Sequence, residues 1–109
     1  MNVRLYAWQR LSAAVMVPLV LLHVAMILYA SRKGLSAADI LARTRGSVAW
    51  AACYGLFVVA VAIHAGIGLR NVLTEWSPLR ARGAGAFAVI CSIALLVLGL
   101  RAVAAVTLP

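Results

Sequence analysis

Three long stretches without Asp, Glu, Lys or Arg constrain this chain of 109 residues more than any other feature. They cover residues 11–31, 46–69 and 83–100, and they hold 21, 24 and 18 residues. About 20 apolar residues rising 1.5 Å each cross the hydrocarbon core of a bilayer, which is roughly 30 Å thick. The pattern therefore predicts three transmembrane helices.

Composition supports a membrane protein over a soluble one. Hydrophobic residues make up 66% of the chain and charged residues only 11%, whereas soluble domains are nearer half apolar and a quarter charged. The net charge of +8 is compatible with nucleic-acid binding, but the charges lie between the apolar stretches, where membrane proteins place them. We therefore expect an all-α integral membrane protein forming a single domain over residues 1–109, with the lipid bilayer and not nucleic acid as its surroundings. Its spans are predicted near residues 9–31, 46–74 and 84–107.

The segments between the spans carry further local signals. The first span is longer than the apolar core of a signal peptide and has no clean cleavage site after it, so we expect it to be retained. Ser36 and Asp39 have the spacing of a capping box, which predicts a short interfacial helix between the first two spans. Pro78 is expected to end the second span. Cys53 and Cys91 are isolated within predicted spans, so we assign them no disulfide and no metal.

Positive charge does not orient the chain. Three spans place the N-terminus and the second connection on one side, which carries five arginines. The opposite side also carries five Lys and Arg residues, so the positive-inside rule gives a tie.

Two histidines, His23 and His64, lie inside predicted spans, where ionisable residues are costly and often functional. No acidic residue lies in any of the three spans. A neutral imidazole there needs a hydrogen-bond partner, such as a backbone carbonyl or a hydroxyl, or a metal such as haem iron. The lengths of helix to Arg32 and Arg45 place the two histidines about 14 Å and 28 Å deep. One iron shared by both is therefore not expected, and each would take a second ligand from another chain.

Two motifs together resemble one known family. The stretch that runs from His64 to Trp76 reads HAGIGLRNVLTEW. It resembles the second-helix motif H-x-x-x-G-[ILM]-R-x-[LVM]-x-x-[DE] of the membrane-anchor cytochrome b subunits of succinate dehydrogenase and fumarate reductase, respiratory complex II. The sequence WQRLSA over residues 8–13 is similar to that family's [HQ]-R-x-[ST]-[GA] at the start of its first helix.

The resemblance implies specific residue roles. His64 would be an axial ligand of haem b, Gly68 would leave room for the porphyrin, and Arg10 and Arg70 would neutralise the propionates. The implied candidates for the quinone site are Ser12, Arg10, Glu75 and Trp76. The family pair at the last two positions is Asp-Tyr in one anchor type, and Trp76 departs from it by lacking a hydroxyl.

His23 adds a second expected haem ligand, because two-haem anchors of the family carry a histidine deep in their first helix. The resemblance thus implies one haem b, or two, shared with a second membrane-anchor subunit. It also implies an iron–sulfur subunit and a flavoprotein subunit as partners, with quinone as the substrate. The chain itself would be a non-catalytic subunit of the bacterial inner membrane, with its N-terminus in the cytoplasm.

Two other interpretations stay open from the sequence. One is the anchor of another quinone-linked b-type cytochrome complex, although such anchors have more spans and more histidines. The other is a small non-enzymatic membrane protein, such as a holin or an assembly factor. Composition fits that class equally well, but it leaves both histidines and the His64 motif unexplained.

Overall fold

The computed structural model describes residues 2–109, which form four α-helices and no strand. The helices are α1 (Val3–Lys33), α2 (Ala37–Thr44), α3 (Val48–Trp76) and α4 (Ala81–Thr107). Of these, α1, α3 and α4 are long and apolar enough to cross a membrane. The predicted all-α architecture with three spans and a short intervening helix is confirmed.

The first helix begins earlier than the span near residues 9–31 that hydropathy predicts. The side chain of Asn2 caps it by accepting a hydrogen bond from the Leu5 amide at 2.9 Å, so the basic and aromatic segment before the span is also helical. Pro18 lies inside α1 without ending it. The helix stops at Gly34, whose φ of 65° is left-handed and therefore favours glycine.

The short helix α2 begins with the predicted capping box. The Ser36 hydroxyl accepts from the Asp39 amide at 3.2 Å, and the Asp39 carboxylate accepts from the Ser36 amide at 2.8 Å. These two bonds satisfy amide groups that have no partner within the helix. The Ser36 hydroxyl also donates to the Asp39 carboxylate, at 2.9 Å. The Ser36 amide and hydroxyl together hold the pKa of the Asp39 carboxyl below its ordinary value, because they stabilise the charged form.

The bounds of α3 and α4 differ from the predicted spans by two or three residues. Gly46 has a φ of 73°, and Ser47 caps the helix that follows by accepting from the Trp50 amide. At the other end α3 continues to Trp76, and Ser77 and Pro78 follow it, as predicted. Helix α4 starts at Ala81, three residues before the expected position.

Helix α3 is the central helix and packs against both α1 and α4. The approach of α4 is close at Gly99, where an added Cβ would lie 2.5 Å from a Val58 methyl group. The Ser92 hydroxyl of α4 donates to the Ala62 carbonyl of α3 at 2.7 Å. Small side chains permit such packing of apolar helices in a bilayer.

The succession of helices gives the molecule two distinct ends, 48 Å apart along its long axis. The start of α1, the end of α3 and the start of α4 form the N-terminal end. The end of α1, helix α2 and the end of α4 form the α2 end. At the α2 end Thr44 donates to the Val106 carbonyl at 2.6 Å, and the Gly46 amide donates to the Thr107 carbonyl at 2.8 Å. The candidate residues are distributed between these two ends.

Candidate functional site

His64 lies on α3 where α1 packs against it, and its ring contacts Ser12. The Ser12 hydroxyl is 3.4 Å from His64 Nδ1 and 3.0 Å from the Gln9 carbonyl, to which it donates. A serine hydroxyl has one proton, so the oxygen is left to accept a hydrogen bond from Nδ1–H. This arrangement favours the tautomer in which Nε2 carries the lone pair that a metal requires.

A groove of about 370 Å³ runs along α1 beside His64. Its lining is almost entirely apolar and consists of Ala13, Met16, Val17, Val20, Leu21 and His64. Residue spacing places Arg10 on the same helical stripe as Ala13, Val17 and Leu21, toward the N-terminal end. Its exposed guanidinium lies 5.8 Å from the Tyr6 ring centroid. Arg10 is therefore available to an acidic group that extends from the groove.

Gly68 lies one turn beyond His64 and faces α1. An added Cβ there would be 3.4 Å from Gln9 Nε2, so the space beside this glycine is next to the Gln9 amide. The Gln9 Oε1 atom is buried and has no hydrogen-bond partner within the described chain. We did not predict Gln9 as a site residue, although its position in the WQRLSA motif was a signal for it.

Arg70 lies on a different side of α3 from His64. Six residues separate the two, which is about 120° around a helix of 3.6 residues per turn. Its guanidinium lies near Gly85 of α4, and the residue lines a second groove with Trp8 and Gly66. The structure therefore does not bring Arg10 and Arg70 together in one groove of this chain.

The quinone-site candidates are spread along the N-terminal end. Glu75 and Trp76 are exposed in the last turn of α3, and Trp76 is 83% exposed. They lie about 16 Å or more along the helix from His64. Ser12 is 4% exposed. Its hydroxyl donates to the Gln9 carbonyl and contacts His64, so both of its interactions are within the chain. A quinone role for Ser12 stays a prediction.

His23 lies nearer the α2 end, among aromatic residues of α3. Its ring centroid is 5.9 Å from Tyr54 in an edge-on arrangement and 5.6 Å from Phe57. Its Nδ1 atom is buried and has no hydrogen-bond partner among residues 2–109. His23 lines two cavities of about 380 and 350 Å³. Sequence patterns gave no signal for these aromatic neighbours, because they belong to another helix.

The two histidines are at different depths. Ser12 of α1 contacts His64 and therefore lies at the same depth. His23 is eleven residues further along α1 than Ser12, which corresponds to about 16 Å of helix. This agrees with the difference of about 14 Å expected from the sequence. The two side chains are therefore too far apart to bind one metal ion together.

His64 could hold a metal such as haem iron through Nε2. Its Nδ1 has a hydrogen-bond partner, its Nε2 is left for a metal, and it lines an apolar groove with a basic side chain on the same stripe. Outer-shell hydrogen bonds of this kind orient metal-binding histidines in proteins.

Comparison with known proteins identifies a family. The family described as "Succinate dehydrogenase/Fumarate reductase transmembrane subunit" matches residues 2–100. No curated protein and no solved structure gives a match. Since the family match covers both motifs, both histidines and most of all three long helices, the chain belongs to the succinate dehydrogenase/fumarate reductase transmembrane subunit family.

Proposed function

We propose that the chain is a haem b-binding membrane anchor of a succinate:quinone oxidoreductase. It docks an iron–sulfur subunit and a flavoprotein subunit at the membrane, and the complex passes electrons between iron–sulfur clusters and a membrane quinone. One observation carries the proposal, namely the contact between His64 Nδ1 and the Ser12 hydroxyl beside an open groove, which we interpret as leaving Nε2 for a metal. The family match supports it.

His64 would hold a haem b at the level of Ser12, and Arg10 would neutralise a propionate. A bound haem supplies a one-electron centre whose potential depends on its axial ligands and their hydrogen bonds. Within this chain only α1 and His64 line the groove, so a second membrane-anchor subunit would supply the opposite wall and any second ligand.

His23 would ligate a second haem nearer the α2 end. The buried and unpaired Nδ1 supports this proposal, since an imidazole nitrogen without a partner is costly in an apolar environment. The adjoining cavities offer space beside the ring. The depth difference supports two separate haems, both shared with the second anchor.

The N-terminal end would contact the partners and the quinone. Glu75 and Trp76 are exposed there, Arg70 lines the groove shared with Trp8 and Gly66, and Arg10 is exposed on the α1 stripe that leads to the His64 groove. This end would face the cytoplasm of a bacterium, across the inner membrane from α2.

The proposal is tested by purifying the complex and recording a dithionite-reduced minus oxidised spectrum, with haem counted per covalent flavin. We expect b-type bands and two haems per flavin. A wild-type complex without b-type bands would contradict the proposed function. One haem per flavin would remove the second-haem proposal while leaving the first.

Single-histidine variants then assign each haem. We expect His64→Leu and His23→Leu each to lose one haem, and each to lose a different one, as judged by midpoint potential. Each variant is the matched control of the other, since both replace an intramembrane histidine by the same residue. Unchanged haem content in His64→Leu would overturn the assignment of that ligand.

A further inference from the structure

We propose that Ser12 is a positioning residue for His64, and that its hydroxyl sets which ring nitrogen of His64 is free to bind a metal. The inference rests on the proposed function, in which His64 ligates haem iron. It concerns a residue of α1 acting on a residue of α3, so the site depends on the packing of these two helices.

The argument begins with the single proton of the serine hydroxyl. Ser12 is buried, and its Oγ donates to the Gln9 carbonyl one turn earlier at 3.0 Å. A hydroxyl whose proton is used in this way interacts with a second group only as an acceptor. His64 Nδ1, 3.4 Å away, is therefore the donor of the pair.

This assignment fixes the ring in its metal-binding form. A neutral imidazole carries one proton, and placing it on Nδ1 leaves the lone pair on Nε2. A hydrogen bond from Nδ1–H also makes the ring a stronger electron donor to a metal at Nε2. Ser12 thus sets the tautomer of His64, its orientation and its strength as a ligand, without contacting the iron.

The chain offers a matched control for this role. Ser92 on α4 is also a partly buried serine that packs against α3, and its Oγ donates to the Ala62 carbonyl, two residues before His64. Ser92→Ala removes the same hydroxyl near the same part of α3 without touching the His64 ring. A general effect of losing a helix-packing serine would therefore show in both variants.

The test is a redox titration and a haem assay of the purified complex carrying Ser12→Ala, Ser12→Thr or Ser92→Ala. We expect Ser12→Ala to raise the midpoint potential of the His64 haem, because a weaker donor stabilises the oxidised iron less. A tenfold loss of relative affinity for the oxidised form corresponds to about 59 mV. The affinity for haem should fall roughly 10- to 100-fold, as metal affinity does when other outer-shell partners are removed, and this would lower haem retention. Ser12→Thr keeps the hydroxyl and should restore both values, and Ser92→Ala should match the wild type.

A Ser12→Ala complex with the same potential and haem retention as Ser92→Ala would overturn the inference. If Ser12→Ala does not assemble, Ser12→Cys keeps the volume and replaces the hydroxyl by a weak acceptor. An intermediate potential is then expected, and an unchanged potential would count against Ser12. All of these outcomes require that the wild-type complex contains haem. A wild-type complex without haem would instead show that the proposed function is wrong.

Discussion

At the scale of single residues, the contact between α3 and α4 is set by a glycine. An added Cβ at Gly99 would lie 2.5 Å from one Val58 methyl group and 2.9 Å from the other. Since Val58 is β-branched, its methyl groups have little freedom to move away. The two helices can therefore approach this closely only because residue 99 has no side chain.

We expect Gly99→Ala to destabilise the protein, because α4 must move away from α3 to accommodate the methyl group. Overpacking of this kind costs about 1–3 kcal/mol, which thermal unfolding in detergent would measure. Gly55→Ala is the control, since nothing lies within 4 Å of a Cβ at that position. Combining Gly99→Ala with Val58→Ala should recover part of the loss. Equal stability of the Gly99→Ala and Gly55→Ala variants would contradict this explanation.

At the scale of elements, α2 is fixed to the end of α4 by a hydrogen bond from its last turn. Thr44 is buried, and its hydroxyl donates to the Val106 carbonyl at the end of α4. The guanidinium of Arg43 lies 5.5 Å from the Tyr29 ring centroid of α1. A helix of eight residues is marginal alone, so its position depends on these contacts with its neighbours.

Replacing Thr44 by Val is expected to loosen α2 from the bundle, because the bond between the helices is lost while the side-chain volume is kept. The expected cost is about 1 kcal/mol, together with faster hydrogen exchange of the Gly46 amide, which donates to Thr107 nearby. Thr107→Val is the matched control, since the Thr107 hydroxyl bonds only within α4, to the Val103 carbonyl. If the Gly46 amide exchanges as slowly in the Thr44→Val variant as in the wild type, the Thr44 hydroxyl does not fix α2 to α4.

The capping box makes the start of α2 sensitive to acid. The pKa of the Asp39 carboxyl is lowered from its ordinary value of 3.8 in the folded chain. The stability that its hydrogen bonds contribute is therefore fully present above that value and is lost as the pH falls through the lower folded pKa. An NMR titration of the Asp39 carboxyl should show a pKa below 3.8, the ordinary value. Ser36→Ala should raise it, since the hydroxyl that donates at 2.9 Å is removed. A midpoint at or above 3.8 in the wild type would contradict the capping interaction.

Local features of the elements were predictable from the sequence, whereas the helix faces were not. The capping box at Ser36 and the stop at Pro78 depend on neighbouring residues, and both were predicted. The long helices are apolar on all sides, so no amphipathic stripe indicates which face meets which neighbour. The contact of Ser12 with His64 and the aromatic residues around His23 depend on those faces. They required the packed structure.

At the scale of the whole molecule, the three long helices leave most of their large apolar side chains uncovered. Leu21 of α1 is 65% exposed and Ile90 of α4 is 66% exposed, and no large side chain in the described part of the chain is fully buried. In water such a surface would be an aggregation hazard. Lipid covers it in a bilayer, and a second anchor subunit would cover part of it beside His64 and His23.

The positive charges of this molecule leave its orientation undetermined, because they are divided equally between the two ends. We expect the α2 end to face the periplasm, because the proposed soluble partners dock at the opposite end. In a variant whose Cys53 and Cys91 are replaced by Ala, Ala38→Cys in α2 should react with a membrane-impermeant maleimide in intact spheroplasts. Leu79→Cys, also exposed but at the N-terminal end, should react only in inverted vesicles stripped of soluble subunits. Labelling of Leu79→Cys but not Ala38→Cys in spheroplasts would invert the orientation, and the docking end would then have to be the one that carries α2.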